Sequence, residues 1–128
     1  MFISQPGAGV VLTIMVIITM ARPTIQEKIH VTNRLSNEIL IAHCHSKDDD
    51  LGAHAIPIGE QISWEFGVTV GTYFWCDLAI KGKRLTFDSY DWFDTSKYSQ
   101  NWDVRDEGVY GIRVSDGVTF FMAAWNQI

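Results

Sequence analysis

"GTYFWCDLAIKG", residues 71–82, has the period of two that a strand with one buried face requires. Phe74, Cys76, Leu78 and Ile80 form its apolar set, while Tyr73, Trp75, Asp77 and Lys81 form a mixed set. Cys76 therefore points inward. Ten residues upstream "QISWEFGV", residues 61–68, repeats the pattern: Ile62, Trp64, Phe66 and Val68 share one face, and Ser63, Glu65 and Gly67 the other. In "EILIAHCHS", residues 38–46, Leu40, Ala42 and Cys44 take one face, and Ile39, Ile41, His43 and His45 the opposite one. Cys44 also looks inward, so a bridge to Cys76 can lie in the core and tie together two strands or two sheets.

Further strands are expected at 27–33, 54–57, 84–90, 101–106, 109–114 and 118–125. Asp106-Glu107-Gly108 and Ser115-Asp116-Gly117 supply turn residues that tolerate positive φ, so the last three strands should form a meander of two hairpins. Beyond the N-terminal run no segment keeps a helical period. About nine short strands separated by polar turns predict an all-β domain, a sandwich or a barrel. Asp91 to Asn101 is the longest irregular stretch and carries Trp92, Phe93 and Tyr98.

The chain has 128 residues, 47% of them hydrophobic, which is enough for one domain with a real core. Residues 1–21 hold no Lys, Arg, Asp or Glu, and "GVVLTIMVIITMA" from Gly9 to Ala21 is an apolar run of thirteen residues. A membrane span needs about 20. The run fits a secretory signal peptide over 1–21, cleaved after Ala21, although no positive charge precedes it. Residues 22–128 are then the mature, extracellular domain. An uncleaved anchor and an internal buried helix are the competing readings. In an oxidising compartment Cys44 and Cys76, the only two cysteines, should pair. A net charge of −5 with scattered basic residues excludes a nucleic-acid-binding face.

The stretch "HCHSKDDDLGAH", residues 43–54, invites three chemical readings. His43 and His45 lie two apart on one strand face and His54 could return from the next strand, as zinc ligands would, but a fourth ligand is missing and Cys44 faces away. Asp48, Asp49 and Asp50 offer oxygens to calcium, yet three consecutive aspartates lack the alternation of an EF-hand loop. Catalysis would need a nucleophile with a base, and no G-x-S-x-G, H-E-x-x-H or glycine-rich phosphate loop is present. The expectation is therefore a strand end and a solvated turn, in which an aspartate accepts backbone N–H groups and Gly52 is left-handed. No metal, cofactor or catalytic residue is expected. Of the five tryptophans, Trp64, Trp75, Trp102 and Trp125 fall in predicted strands and Trp92 in the long loop. The candidate binding residues are Asp48, Asp49 and Asp50 in the turn and Trp92, Phe93 and Tyr98 in the loop, because loop residues vary without loss of fold.

The order "VTNRL", "LIAHCHSKDDDLG", "WEF", "GTYFWC", "FDSY", "NWDVRDEGVY" and "FFMAAW" resembles the plant self-incompatibility S-protein homologue family over nearly all of residues 22–128. That resemblance implies a small, secreted, single-domain antiparallel β-sandwich without catalytic activity, with one intramolecular disulfide between Cys44 and Cys76. It also implies a cell-surface receptor protein as partner, since founding members resemble stigma-secreted ligands that act on a pollen plasma-membrane receptor. A monomer with no stable membrane insertion after signal removal is expected. A secreted membrane-active or defence protein is the alternative. Many relatives carry two more cysteines shortly before the tryptophan matching Trp102; "SKYSQNW" has none.

Overall fold

The computed structural model describes residues 25–127. The expected signal peptide over 1–21, with its cleavage after Ala21, lies outside the described residues. Ten strands run in chain order: β1 (Gln26–Asn33), β2 (Leu40–Ser46), β3 (Asp50–Ile56), β4 (Gln61–Gly67), β5 (Tyr73–Ile80), β6 (Lys83–Asp91), β7 (Ser99–Arg105), β8 (Gly108–Arg113), β9 (Thr119–Ala124) and β10 (Asn126–Gln127). They form two five-stranded sheets, one ordered β4-β1-β7-β8-β9 and the other β10-β6-β5-β2-β3. The fold is an all-β sandwich, as expected. Among the described residues no helix is long and apolar enough to cross a membrane.

The alternation read from the sequence is the alternation of burial. Ile29 and Val31 on β1, Leu40, Ala42 and Cys44 on β2, Phe74, Cys76 and Leu78 on β5, Leu85 and Phe87 on β6, and Trp102 and Val104 on β7 are all buried. Phe87 and Phe120 meet the Trp102 ring edge-on from the two sheets, at centroid distances of 5.1 and 5.8 Å. Gly111 makes room for this stack, because a Cβ there would lie 2.7 Å from both the Trp102 and the Phe120 ring. The disulfide joins neighbouring strands of one sheet: Cys44 and Cys76 are directly opposed on β2 and β5, with Cα atoms 4.0 Å apart.

Three features differ from the expected outline. The pairing of β1 with β7 is parallel, so the sheets are not purely antiparallel. Such a pair joins strands far apart in sequence, and period-two patterning is blind to strand direction. The strand expected at 54–57 begins at Asp50, and the irregular stretch expected over 91–101 shrinks to residues 92–98 because β7 begins at Ser99. A bulge hides each of these boundaries. On β3 one extra residue separates the His43–Ala53 and His45–Asp50 pairs, and Gly52 there takes φ +80°. On β7 the Ser99 hydroxyl closes the irregularity, donating to the Asn101 carbonyl at 2.6 Å and accepting from the Asn101 and Ile112 N–H groups at 3.0 Å each. The meander β7-β8-β9 is present as expected, with left-handed glycine at Gly117.

The two ends of the sandwich are built differently. At one end Asn33 is fully buried, and its side chain donates to the Ile56 and Glu38 carbonyls at 2.8 and 3.0 Å and accepts the Leu35 N–H at 2.8 Å. Nearby the Ser36 N–H donates to Asp106, whose carboxyl this bond holds below the usual range, and the Lys81 N–H donates to Glu38. The opposite end carries connections 47–49, 68–72, 92–98 and 114–118.

Candidate functional site

The two loops singled out in the sequence meet at that second end, joined by a third between them. β2 ends where β5 begins, with Ser46 opposite Phe74, and β6 ends at Asp91 opposite Tyr73. The turn 47–49 and the loop 68–72 therefore face each other across a cleft of about 480 Å³ lined by Lys47, Asp48, Asp49, Glu65, Val70 and Tyr73, among others. Loop 92–98 is bonded to the same rim: the Trp92 N–H donates to the Thr72 carbonyl at 3.0 Å. Its far end holds the β8–β9 connection through Val114 N–H on the Tyr98 carbonyl at 3.1 Å.

The six candidate residues divide by environment. Asp48 and Asp49 are exposed on the turn, which is closed by Ser46 N–H on the Asp49 carbonyl (2.7 Å) and Asp49 N–H on the Ser46 hydroxyl (3.0 Å). Asp50 is occupied: its Oδ1 accepts the Gly52 N–H at 2.8 Å and lies 2.6 Å from His43 Nε2. The Gly52 N–H and His43 hold its carboxyl below the usual carboxylate range. An aspartate accepting a backbone N–H beside a left-handed Gly52 is as expected, and it lies in the β3 bulge. Trp92 is 37% exposed and Phe93 78%. Tyr98 turns the other way, edge-on to Tyr90 at 5.6 Å, and burial followed by Glu27 pushes its hydroxyl pKa up. It anchors the loop.

From the 43–54 stretch, His43 and His45 lie on the outer face of the β2–β5 sheet. His43 and His45 stack at 4.7 Å, His45 packs on Trp75 at 4.3 Å, and Trp75 stacks on Tyr73 at 5.3 Å. A carboxylate clamps each polar ring: Asp50 holds His43, Asp77 meets His45 at 2.9 Å, and Asp88 accepts the Tyr73 hydroxyl, pushing its pKa up to about 12. His54 Nε2 is 2.8 Å from the Leu51 carbonyl. His43 and His45 thus bond to strands on opposite sides of β2, and the described residues contain no group of three or more His, Cys, Asp or Glu placed to hold one ion. Sequence reading placed these histidines on one face but missed the ring ladder, whose signal is the cross-strand pairing of His45 with Trp75.

Residues 28–125 match the family model described as plant self-incompatibility protein S1. The chain belongs to that family. It is 36% identical over 87 residues to S-protein homolog 21 of Arabidopsis thaliana, covering 61% of this chain and 65% of that protein. It is 35% identical to S-protein homolog 2 of the same plant (53% and 44% covered) and 27% identical to S-protein homolog 1 (80% and 74% covered). The chain thus spans less than two thirds of the length of the first two. No solved structure matches it. Within the matched region fall both cysteines, the bulged His43–His54 segment and the 47–49, 68–72 and 92–98 loops.

Proposed function

We propose that this S-protein homologue is a secreted, non-catalytic recognition protein that presents its cleft end to a cell-surface receptor. The observation that carries the reading is one cleft flanked by the 47–49 and 68–72 loops, with Asp48 and Asp49 exposed on it and the half-exposed Trp92 on loop 92–98, which is bonded to Thr72 alongside. A rigid scaffold that displays variable loops is the usual architecture of recognition. Carboxylates beside an aromatic anchor supply the charge and contact area of a binding hot spot. Membership of a family described as plant self-incompatibility proteins agrees with a role in recognition between cells. Asp50 and Tyr98 belong to the scaffold of this end and not to its contact surface.

The test is saturable binding of labelled protein to protease-sensitive sites on plasma membranes. Replacing Asp48 and Asp49 by Asn, and separately Trp92 by Ala, should leave the β-sheet circular dichroism intact and weaken binding about tenfold or more. Unchanged binding by both variants would show that the cleft end is not the contact.

A further inference from the structure

We infer that the apolar half of the cleft end, Val70 with Trp92 and Phe93, docks on a phosphatidylcholine bilayer surface. Val70 is 75% and Phe93 78% exposed, and these two large apolar side chains stand on loops that touch, Phe93 lying 3.9 Å from where a Cβ of Gly71 would be. Trp92, 37% exposed, precedes Phe93 on the same loop, which the Trp92 backbone N–H ties to the Thr72 carbonyl. Val70 stands at the cleft mouth and Phe93 outside the cleft on the adjoining loop, so a protein partner would have to fit two separate tips, whereas a bilayer surface accepts both at once. An indole ring beside aliphatic and phenyl groups is the composition favoured at the boundary between headgroups and acyl chains.

The loop backbones suit burial at such a boundary. Phe93 N–H donates to Asp91 Oδ1 at 2.9 Å and Asp94 N–H to the Asp91 carbonyl at 3.2 Å. Thr69 N–H donates to the Thr72 hydroxyl at 2.9 Å, and Thr72 N–H returns to the Thr69 carbonyl at 3.1 Å. Backbone groups already paired inside the loop carry a small desolvation penalty when the tip leaves water. Charge then selects the lipid. Asp48, Asp49 and Asp94 are exposed around the tips and outnumber the exposed Lys47 and Lys97, a net negative balance that disfavours an anionic surface and complements the outermost trimethylammonium of phosphatidylcholine. Trp92 and Phe93 add aromatic faces of the kind that attract a quaternary ammonium.

This contact deepens the recognition reading by placing the ligand on the membrane that carries its receptor, but its test uses no receptor, so either idea can fail alone. The disulfide-bonded protein should co-sediment with protein-free phosphatidylcholine vesicles without releasing an entrapped dye. Phe93→Asp and Val70→Asp should each lower the partition coefficient about tenfold. Ile58→Asp, at a side chain 50% exposed on the opposite end, should leave it unchanged. Adding phosphatidylserine at low salt should weaken binding. The inference is overturned if the parent stays in the supernatant, if the loop variants sediment like the parent, or if binding is seen only to membranes that retain their proteins.

Discussion

Single residues at the bulge and on the outer sheet face make stability depend on acid. Asp50 is held below the ordinary carboxylate value by the Gly52 N–H and by His43. For Asp77 burial acts upward, but the bonds from Thr86 and His45 outweigh it and the net shift is downward. A carboxylate with a depressed folded-state pKa adds stability that is complete above its unfolded value, here 3.8, and is lost as pH falls through the folded value. Thermal melting should therefore drop below about pH 4, and Asp50→Asn with Asp77→Asn should flatten that acid limb; a limb as steep as the parent's would assign it to other groups. Tyr73 acts at the other extreme: raised to about 12 by Asp88, its hydroxyl gives stability that fades only as pH rises from 10.0 through that value. Cys44 and Cys76 were legible because both fell on apolar faces and no third cysteine competes. Replacing the pair by Ala should cost about 2 to 5 kcal/mol in urea unfolding.

At the scale of elements, the strands were legible wherever one face is buried, as in β4 and β5, because period two then shows directly in the residue types. The bulges were not, since Gly52 in "DDDLG" and Ser99 in "YSQN" carry turn chemistry that a bulged strand uses equally well. Asn33 shows the same limit: within "VTNRL" it reads as a strand end, yet buried it satisfies two carbonyls and one N–H from two chain segments, the β1–β2 connection and the end of β3. Asn33→Ala should cost about 2 to 5 kcal/mol, because those groups would stay buried and unpaired. Gly111→Ala should destabilise by about 1 to 3 kcal/mol by pushing the Trp102 and Phe120 rings apart. Denaturant midpoints check both, and a near-neutral Gly111→Ala would show that the rings can shift without strain.

For the whole molecule, the parallel β1–β7 pair and the meeting of three loops at one end depend on topology, and no local pattern encodes either. The candidate site was therefore visible only as two separate loops, and its third member, residues 68–72, was missed because it reads as a plain turn. Topology also leaves open edges, which in an all-β domain invite strand addition from another copy. One side is shielded where the chain leaves β9 in one sheet and enters β10 in the other, with Trp125 between them donating to the Arg105 carbonyl at 3.0 Å. On the other side β3 is an edge strand with no Lys, Arg or Pro, and its bulge takes over their protective role. The bulge's Gly52 N–H is bonded by Asp50 and its Leu51 carbonyl by His54, so neither is offered to a neighbouring chain. The parent should sediment as a monomer, and Asp50→Ala combined with His54→Ala should produce self-association that grows with concentration. If that double variant stays monomeric at concentrations where its β-sheet spectrum is intact, the two side chains do not guard the edge.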